Sequence, residues 1–380
     1  MDIYVCKAGS YDEKIVNDAV ERVFAACECA KTLGANTRAC VKINVIGRHA
    51  PSDAATTHPA VLCAVILALQ KRGVTDITVA DSAGGAYNES AMTAIYKACG
   101  ITQVCQKTGV SLYTACKWTG KKAQNYALVP QFNVIQPVLD ADFIINVPKL
   151  KTHMMMRLTN ATKNLFGVIP GLQKAELHMR FPKSDKFGAM LVDLCETIKP
   201  NLTVVDAIDG MEGDGPNSGT PRHIGLIMGG ESTYSLDLAA CEITGISPAD
   251  VPYMANAISR GLCKKSFAEV EIGGDIGAVK RIDGYKLPAN SKDATFAAHQ
   301  SGVIGKMVAL IEKSAAPHPV INAKKCVGCA RCADICPAQT INLTNKKAHI
   351  DKKACIRCFC CHEVCPADAI DVKRLSFFNI

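Results

Sequence analysis

The sequence predicts an α/β fold: a large domain with a mostly parallel sheet, then a small α+β module at the C-terminus. Three observations carry that expectation. Short β-rich runs alternate with helical stretches along the first 230 residues, the order that places helices between parallel strands. With 380 residues and 48% hydrophobic content, the chain supports one core of about 300 residues and a small second unit. Nine of the twenty cysteines fall after residue 321, so that second unit has its own chemistry. We expect the α/β domain over 1–290, a linker with a helical segment over 291–321, and the cysteine module over 322–380.

Taken in order, Ile3 to Cys6 and Arg38 to Asn44 are compact β-rich runs and read as strands. His58 to Lys71 has apolar residues at helical spacing, with Pro59 suited to a first helical turn. Ile77 to Ala80 returns to strand, and Glu89 to Cys99 to helix. Phe143 to Val147 is a strand, Ala189 to Ile198 a helix, and Leu202 to Val205 and Ile224 to Met228 are strands. In the module, Thr340 to Leu343 and Ala369 to Val372 are matching apolar or β-branched runs in two halves. Each half then reads as cysteine loop, one helical turn and strand.

Ligands of parallel sheets collect at the carboxyl ends of strands, so the polar residues there are the candidates. Lys42 and Asn44 follow the second strand, and the loop ends Thr56-Thr57-His58-Pro59. His58 could assist an anion at the helix start, or simply stand near an ordinary cap. Asp81-Ser82-Ala83-Gly84-Gly85 has the look of a turn that approaches a ligand, but it matches neither a dinucleotide nor a Walker sequence. If Asn146 to His153 is extended, Lys149, Lys151 and His153 share a face and suit a phosphate or carboxylate. Lys163 and Asn164 follow after a turn, and Lys174 and His178 share a face if that stretch is helical. A solvated basic loop is the alternative; the apolar residues between these cations argue against it. Asp206 to Gly219 reads as a loop, in which Asp206, Asp209, Glu212 and Asp214 could hold a hard cation, or only turn the chain or pair with the lysines.

Composition narrows the function. The formal charge of +8 includes +5 from residues 324–374, where ten Lys or Arg face five Asp or Glu. No aromatic-interleaved basic stripe supports nucleic-acid binding. Residues 1–7 form no apolar leader, and the longest apolar stretch, Val61 to Leu69, is too short to span a bilayer. A cytoplasmic protein without a membrane or nucleic-acid partner is expected. Eleven cysteines outside the module show no repeated spacing and read as small buried residues in a reducing, anaerobic setting.

The module's cysteines are the strongest signal. Cys326, Cys329, Cys332 and Cys336 precede Pro337, and Cys355, Cys358, Cys361 and Cys365 precede Pro366. This doubled C-x-x-C-x-x-C-x-x-x-C-P run is the spacing of a bacterial ferredoxin with two 4Fe-4S clusters, in which the fourth cysteine of each run ligates the other cluster. One cluster is therefore assigned Cys326, Cys329, Cys332 and Cys365, the other Cys355, Cys358, Cys361 and Cys336. Structural zinc or a disulfide knot is the alternative, but zinc sites usually show two separated pairs. Cys360 falls outside the register and reads as a spare thiol. So small a module draws much of its stability from its clusters.

Five motifs in order, Lys42-x-Asn44, Thr56 to Pro59, Asn146 to His153, Lys163-Asn164-x-x-Gly167 and Glu212-Gly213-x-Gly215-Pro216, resemble domain-of-unknown-function family 362. The resemblance covers roughly 36–265, and members often carry a C-terminal ferredoxin module. It implies that Lys149, Lys151, His153, Lys163 and His178 belong to one site, but brings no general activity. A fainter similarity is to the lactate racemase fold, at fold level only. The resulting expectation is an iron-sulfur electron-transfer protein, an oxidoreductase or reductase component. It would act on a small anionic substrate or redox partner protein in the α/β domain. His58, Lys149, Lys151, His153, Lys163 and His178 are the catalytic candidates; Lys42, Asn44, Asn164 and Glu212 are candidates for holding a further, unidentified ligand. A non-catalytic carrier and a metal or cofactor handling protein are the alternatives.

Overall fold

The computed structural model of the protein describes residues 1–288 and 318–373; the expected helical segment over 291–321 lies almost wholly outside them. The first half alternates as the sequence predicts: strands β1 (Ile3–Lys7), β2 (Arg38–Lys42), β3 (Asp76–Ala80) and β4 (Ser111–Leu112), with helices α1 (Glu13–Ala26), α2 (Pro59–Lys71), α3 (Glu89–Ala98) and α4 (Ile101–Thr108) between them. Local chemistry sets the helix starts. Asp12 accepts from Lys14 N and Ile15 N ahead of α1, and Asn88 accepts from Ala91 N ahead of α3.

A separate hairpin, β5 (Trp118–Lys122) and β6 (Gln131–Ile135), leads through α5 (Gln136–Asp140) to β7 (Phe143–Asn146), β8 (Lys149–His153) and β9 (Arg157–Thr159). Then come α6 (Ala161–Asn164), α7 (Gln173–Arg180), α8 (Ser184–Ile198), β10 (Leu202–Glu212), β11 (Thr220–Gly230), α9 (Thr233–Thr244), α10 (Pro252–Ser259) and β12 (Ile272–Gly274).

These strands build a ten-stranded sheet of order β12-β1-β11-β10-β7-β2-β3-β4, with β8 on β10 and β9 on β8. Neighbours along β10-β7-β2-β3-β4 are parallel; β11 is antiparallel to both β1 and β10. Side-chain alternation divides the core into two faces. Ala39 and Val41 of β2 pack on the α1 and α2 side, and Cys40 between them on the side of α8 and α9. Each buried Val, Leu or Ile contributes about 1.5–3 kcal/mol to holding helices on the sheet.

The expected loop beginning at Asp206 is instead strand through Glu212, because β10 and β11 form a long antiparallel ladder that takes up its backbone groups. Among the described residues, no helix is long and apolar enough to cross a membrane.

The small module contains β13 (His318–Ile321), α11 (Arg331–Asp334), β14 (Ile341–Thr344), β15 (Lys347–Ile350), α12 (Cys360–Glu363) and β16 (Ile370–Lys373). β13 pairs with β16 and β14 with β15, both antiparallel. The helical turn and strand foreseen in each half are α11 with β14 and α12 with β16. β13 begins at His318, ahead of the module start read from the cysteines. Its core is slight: Ile341, Ala348 and Ile370 around Cys332 and Cys361.

Candidate functional site

Parallel β2, β3 and β7 end together, which gathers Lys42, Asp81 and Asn146 at one edge of the sheet. Lys42 and Asp81 form a buried ion pair at 3.1 Å. Burial pulls the Lys42 ammonium down against the charge of Asp81, and burial pushes the Asp81 carboxyl up against Lys42. Lys42 also donates to Ile43 O and to Asn164 Oδ1, so its three protons are all engaged. It is a buttress behind the site and has no proton left for the ligand expected of it. Asn164 Nδ2 donates to Asn146 Oδ1 at 2.8 Å, and Asp237 accepts from Ala161 N and Thr162 N, fixing short α6 and with it Lys163.

Gly167 lies against this pair, where an added Cβ would run into Asp81 and Lys42. Gly167→Ala is expected to part the pair and cost about 3–5 kcal/mol, as breaking a buried pair does. Chemical denaturation measures it, and a loss below 1 kcal/mol would mean that the pair is not held by this close approach.

The strand face expected to carry three cationic groups is broken. Asp206 is opposite Lys149 but Met211 is opposite Lys151, so a register shift separates the two lysines. Lys149 turns to Asp206 at 2.8 Å and to the Tyr11 hydroxyl at 2.6 Å. His58 belongs to that second cluster: its ring stacks on Tyr11 at 3.6 Å, and its Nδ1 accepts from Ala60 N as the cap of α2. Burial lowers His58 to about 4. The polar reach of Lys149 is taken up within the cluster, and neither residue meets the others assigned to one site.

The carboxylates near 206–214 are also taken up by protein partners. Asp209 meets His223 at 2.7 Å, and Glu212 accepts from Lys286 N at 3.1 Å with Lys286 Nζ at 3.7 Å. Among the described residues, no three His, Cys, Asp or Glu groups are placed to hold one metal ion. Glu212 is thus a structural anion of the β10–β11 end.

The remaining candidates do converge. Asn44, Lys151, His153, Lys163, Asn164 and His178 line one cavity of about 700 Å³. Lys174, on the same face of α7 as His178, joins them, as does Ser82. The opposite wall comes from the small module: Ile335, Cys360, Glu363 and Val364. That wall had no signal beyond its place between cysteines, and Cys360 read as spare.

Burial and neighbouring cations act strongly here. Burial, with Lys163 and Lys149 nearby, lowers Lys151 to about 7, and burial lowers Lys174 to about 7 against the pull of Asp81. Lys151 donates to Ala55 O at 2.7 Å, and Lys174 to Ser82 O at 2.8 Å. Lys163 is also lowered by burial; its ammonium stands 5.2 Å from the Phe166 ring centroid and has no hydrogen-bond partner among the described residues.

Burial brings His153 to about 4 and His178 to about 3, so both are neutral at pH 7. His153 Nδ1 accepts from Met155 N and Met156 N, which puts the ring proton on Nε2. That atom faces Glu363 Oε1 at 3.3 Å, within ion-pair reach but not aligned as a hydrogen bond. Burial would raise the Glu363 carboxyl; the neighbouring His153, Lys163 and His178 outweigh it and hold Glu363 below the usual carboxylate range. We take His153 as neutral and Glu363 as ionised, because lysines surround the ring. Asn44 Oδ1, His153 Nε2, His178 Nδ1 and Glu363 Oε1 are all buried without hydrogen-bond partners among the described residues, so the cavity is wired for a polar occupant.

The cysteines part into two sets. Cys326, Cys329, Cys332 and Cys365 surround a cavity of about 350 Å³; Cys336, Cys355, Cys358 and Cys361 surround another of about 300 Å³. Each set surrounds a space instead of meeting at a point, which suits a cube with a thiolate at each corner. Backbone donors aim at the sulfurs: Thr340 N at Cys336, Arg357 N at Cys355 and Ala369 N at Cys365, at 3.2–3.4 Å. Gly328, Ala330, Arg357 and Phe359 take positive φ, which curls the loops around them. Cys360 lines the larger cavity and not the cysteine-lined ones. Cys360→Ser is accordingly expected to keep its full iron content on elemental analysis, whereas loss of iron would make Cys360 a ligand.

Fold and site together define a two-domain iron-sulfur protein whose ferredoxin module closes over a cationic cavity. Residues 40–242 match the family described as Domain of unknown function (DUF362), and residues 318–366 match a 4Fe-4S dicluster domain. The chain belongs to the DUF362 family. It is 30% identical over 256 residues to the thylakoid-associated protein sll1697 of Synechocystis, covering 66% of this chain and 76% of the relative. Among solved structures it is similar to the lactate racemase apoprotein of Thermoanaerobacterium thermosaccharolyticum, with TM-score 0.39, 11% identity, and 65% of this chain and 57% of that one covered. A structural-genomics protein of Thermotoga maritima gives TM-score 0.39 and 14% identity over 63% of this chain and 60% of that one. The chain thus spans less than two thirds of either structure, and likeness at this level establishes no shared activity.

Proposed function

We propose that the protein is a cytoplasmic iron-sulfur oxidoreductase, or a reductase component, that holds a small anionic substrate in the cavity between its two domains. The observation that carries this is the shared wall: α12 lies between Cys358 and Cys365 in the chain and lines the cavity opposite Lys151, Lys163 and Lys174. The reading assigns two 4Fe-4S clusters to the two cysteine sets already described, and when bound they supply low-potential single electrons.

The chain's own residues do the rest. Lys163 offers an unengaged ammonium to an anionic group, and Lys151 and Lys174 add charge according to pH. His153 presents Nε2–H as a fixed donor, and neutral His178, with Nδ1 unpartnered, can accept a proton. Ile335, Phe166 and Val364 add apolar lining beside these groups, which lowers the local dielectric and strengthens each interaction. Glu363 opposes anions on its side and so orients a ligand with its negative end toward the lysines.

Native mass spectrometry of protein purified without oxygen, followed by titration with acetate, oxalate and sulfate, tests this. We expect two clusters' mass and anion binding that weakens about 10–100-fold in Lys163→Ala, one charged hydrogen bond being about 1.5–3 kcal/mol. Two clusters with no anion bound by parent or variant would instead support a pure electron carrier.

A further inference from the structure

The module has an outer end and an inner end. Around the second cysteine set, Cys358 and Cys361 are buried, and the adjoining Ile335, Cys360 and Val364 face the cavity between the domains. Around the first set, Cys329 is exposed. Beside it, Val327 is 67% exposed, more than any other large apolar side chain among the described residues. Val327 therefore gives this cysteine loop an apolar tip open to solvent.

Cations ring that tip. Lys324, Lys325, Arg331 and Lys346 are exposed, and Lys347 donates to Cys326 O at 2.6 Å. Lys346 is held close, since an added Cβ at Gly328 would strike its carbonyl. Among the described residues none of Lys324, Lys325, Arg331 and Lys346 forms an ion pair, and Lys325 donates to the backbone Asp368 O at 3.3 Å. A uniform solvated face would lack the apolar centre. An apolar tip inside a cationic ring is what a small, transient redox interface requires: close approach at the centre and charge steering at the rim.

We propose that the tip from Val327 to Cys329 is the electron-entry surface and that it docks an acidic redox protein. One electron leaves the reduced donor and enters the module at this end; the donor is oxidised by one, the module reduced by one, and no bond or proton moves. Electrons then travel inward, toward the cysteine set that adjoins the cavity.

Stopped-flow reduction of the full-length, anaerobically purified protein tests the assignment, with a reduced acidic 2Fe-2S ferredoxin as donor and a net-neutral zwitterionic viologen as control. The ferredoxin rate is expected to fall roughly tenfold or more between low and high salt, and the viologen rate to stay level. Lys324→Glu/Lys325→Glu/Arg331→Glu should lower the low-salt ferredoxin rate by a similar factor, with cluster absorbance and viologen rate unchanged. A ferredoxin rate that ignores salt, or a variant with full clusters reduced as fast as the parent, overturns the proposal. Should the variant fail to hold iron, the salt series on the parent protein decides alone. Anion binding in the cavity is read separately, so either idea can fail without the other.

Discussion

Cys336→Ala is expected to lose the cluster that Cys355, Cys358 and Cys361 help to hold, and to retain the one assigned to Cys326, Cys329, Cys332 and Cys365. The substituted residue belongs by sequence to the first run of cysteines but lines the second cavity, with Thr340 N donating to its sulfur. Iron content should fall by about half, with one of two EPR signals gone. Loss of the other signal alone would refute crossed ligation. Chelating all the iron should do more. The module's buried core is Ile341, Ala348 and Ile370 beside two cysteines, and metal binding in such small domains is worth about 10 kcal/mol or more. Residues 318–373 should become protease-sensitive while 1–288 stays folded on its own two-faced core. The cavity would then lose Glu363, Cys360 and Val364 together, and anion affinity with them.

Sequence patterning was enough for the alternation of strands and helices and for the cysteine spacing, because both are local: one is periodicity, the other a loop's reach around a cube. What it could not supply was long-range. Lys149, Lys151 and His153 share a face only on a regular strand, and the shift of β8 against β10 sends Lys149 to Asp206, far along the chain. The density of carboxylates between 206 and 214 suggested a cation, yet Asp206, Asp209 and Glu212 each meet a side chain brought in by another strand or loop. Lys42 looks like Lys163 in composition; only the approach of Gly167 and Asp81 shows that one is a buttress and the other faces the cavity. Glu363 and Cys360 had no reason to be singled out until the module was seen to form the opposite wall.

The electrostatics of that cavity lead to the second large effect, a binding affinity set by pH. Lys151 and Lys174 are both lowered to about 7, so they gain charge as pH falls through neutrality. His153 and His178, near 4 and 3, stay neutral above pH 5, and Glu363 stays ionised throughout. Lys151 and Lys174 therefore change the cavity's charge between pH 6 and 9, and Lys163, also lowered by burial, acts in the same direction. An anion binds the protonated form, so affinity rises as protons are added and falls above pH 7 by about tenfold per pH unit for each lysine that must be charged. Sulfate is the suitable probe because it does not titrate in this range. Its Kd, measured by calorimetry under argon, should weaken roughly 100-fold or more from pH 6 to pH 9. Lys151→Met should flatten that slope by one proton and weaken binding at pH 6. A Kd level from pH 6 to 9 in the parent protein would mean that neither lysine meets the anion, leaving the charge of the cavity without a ligand to explain it.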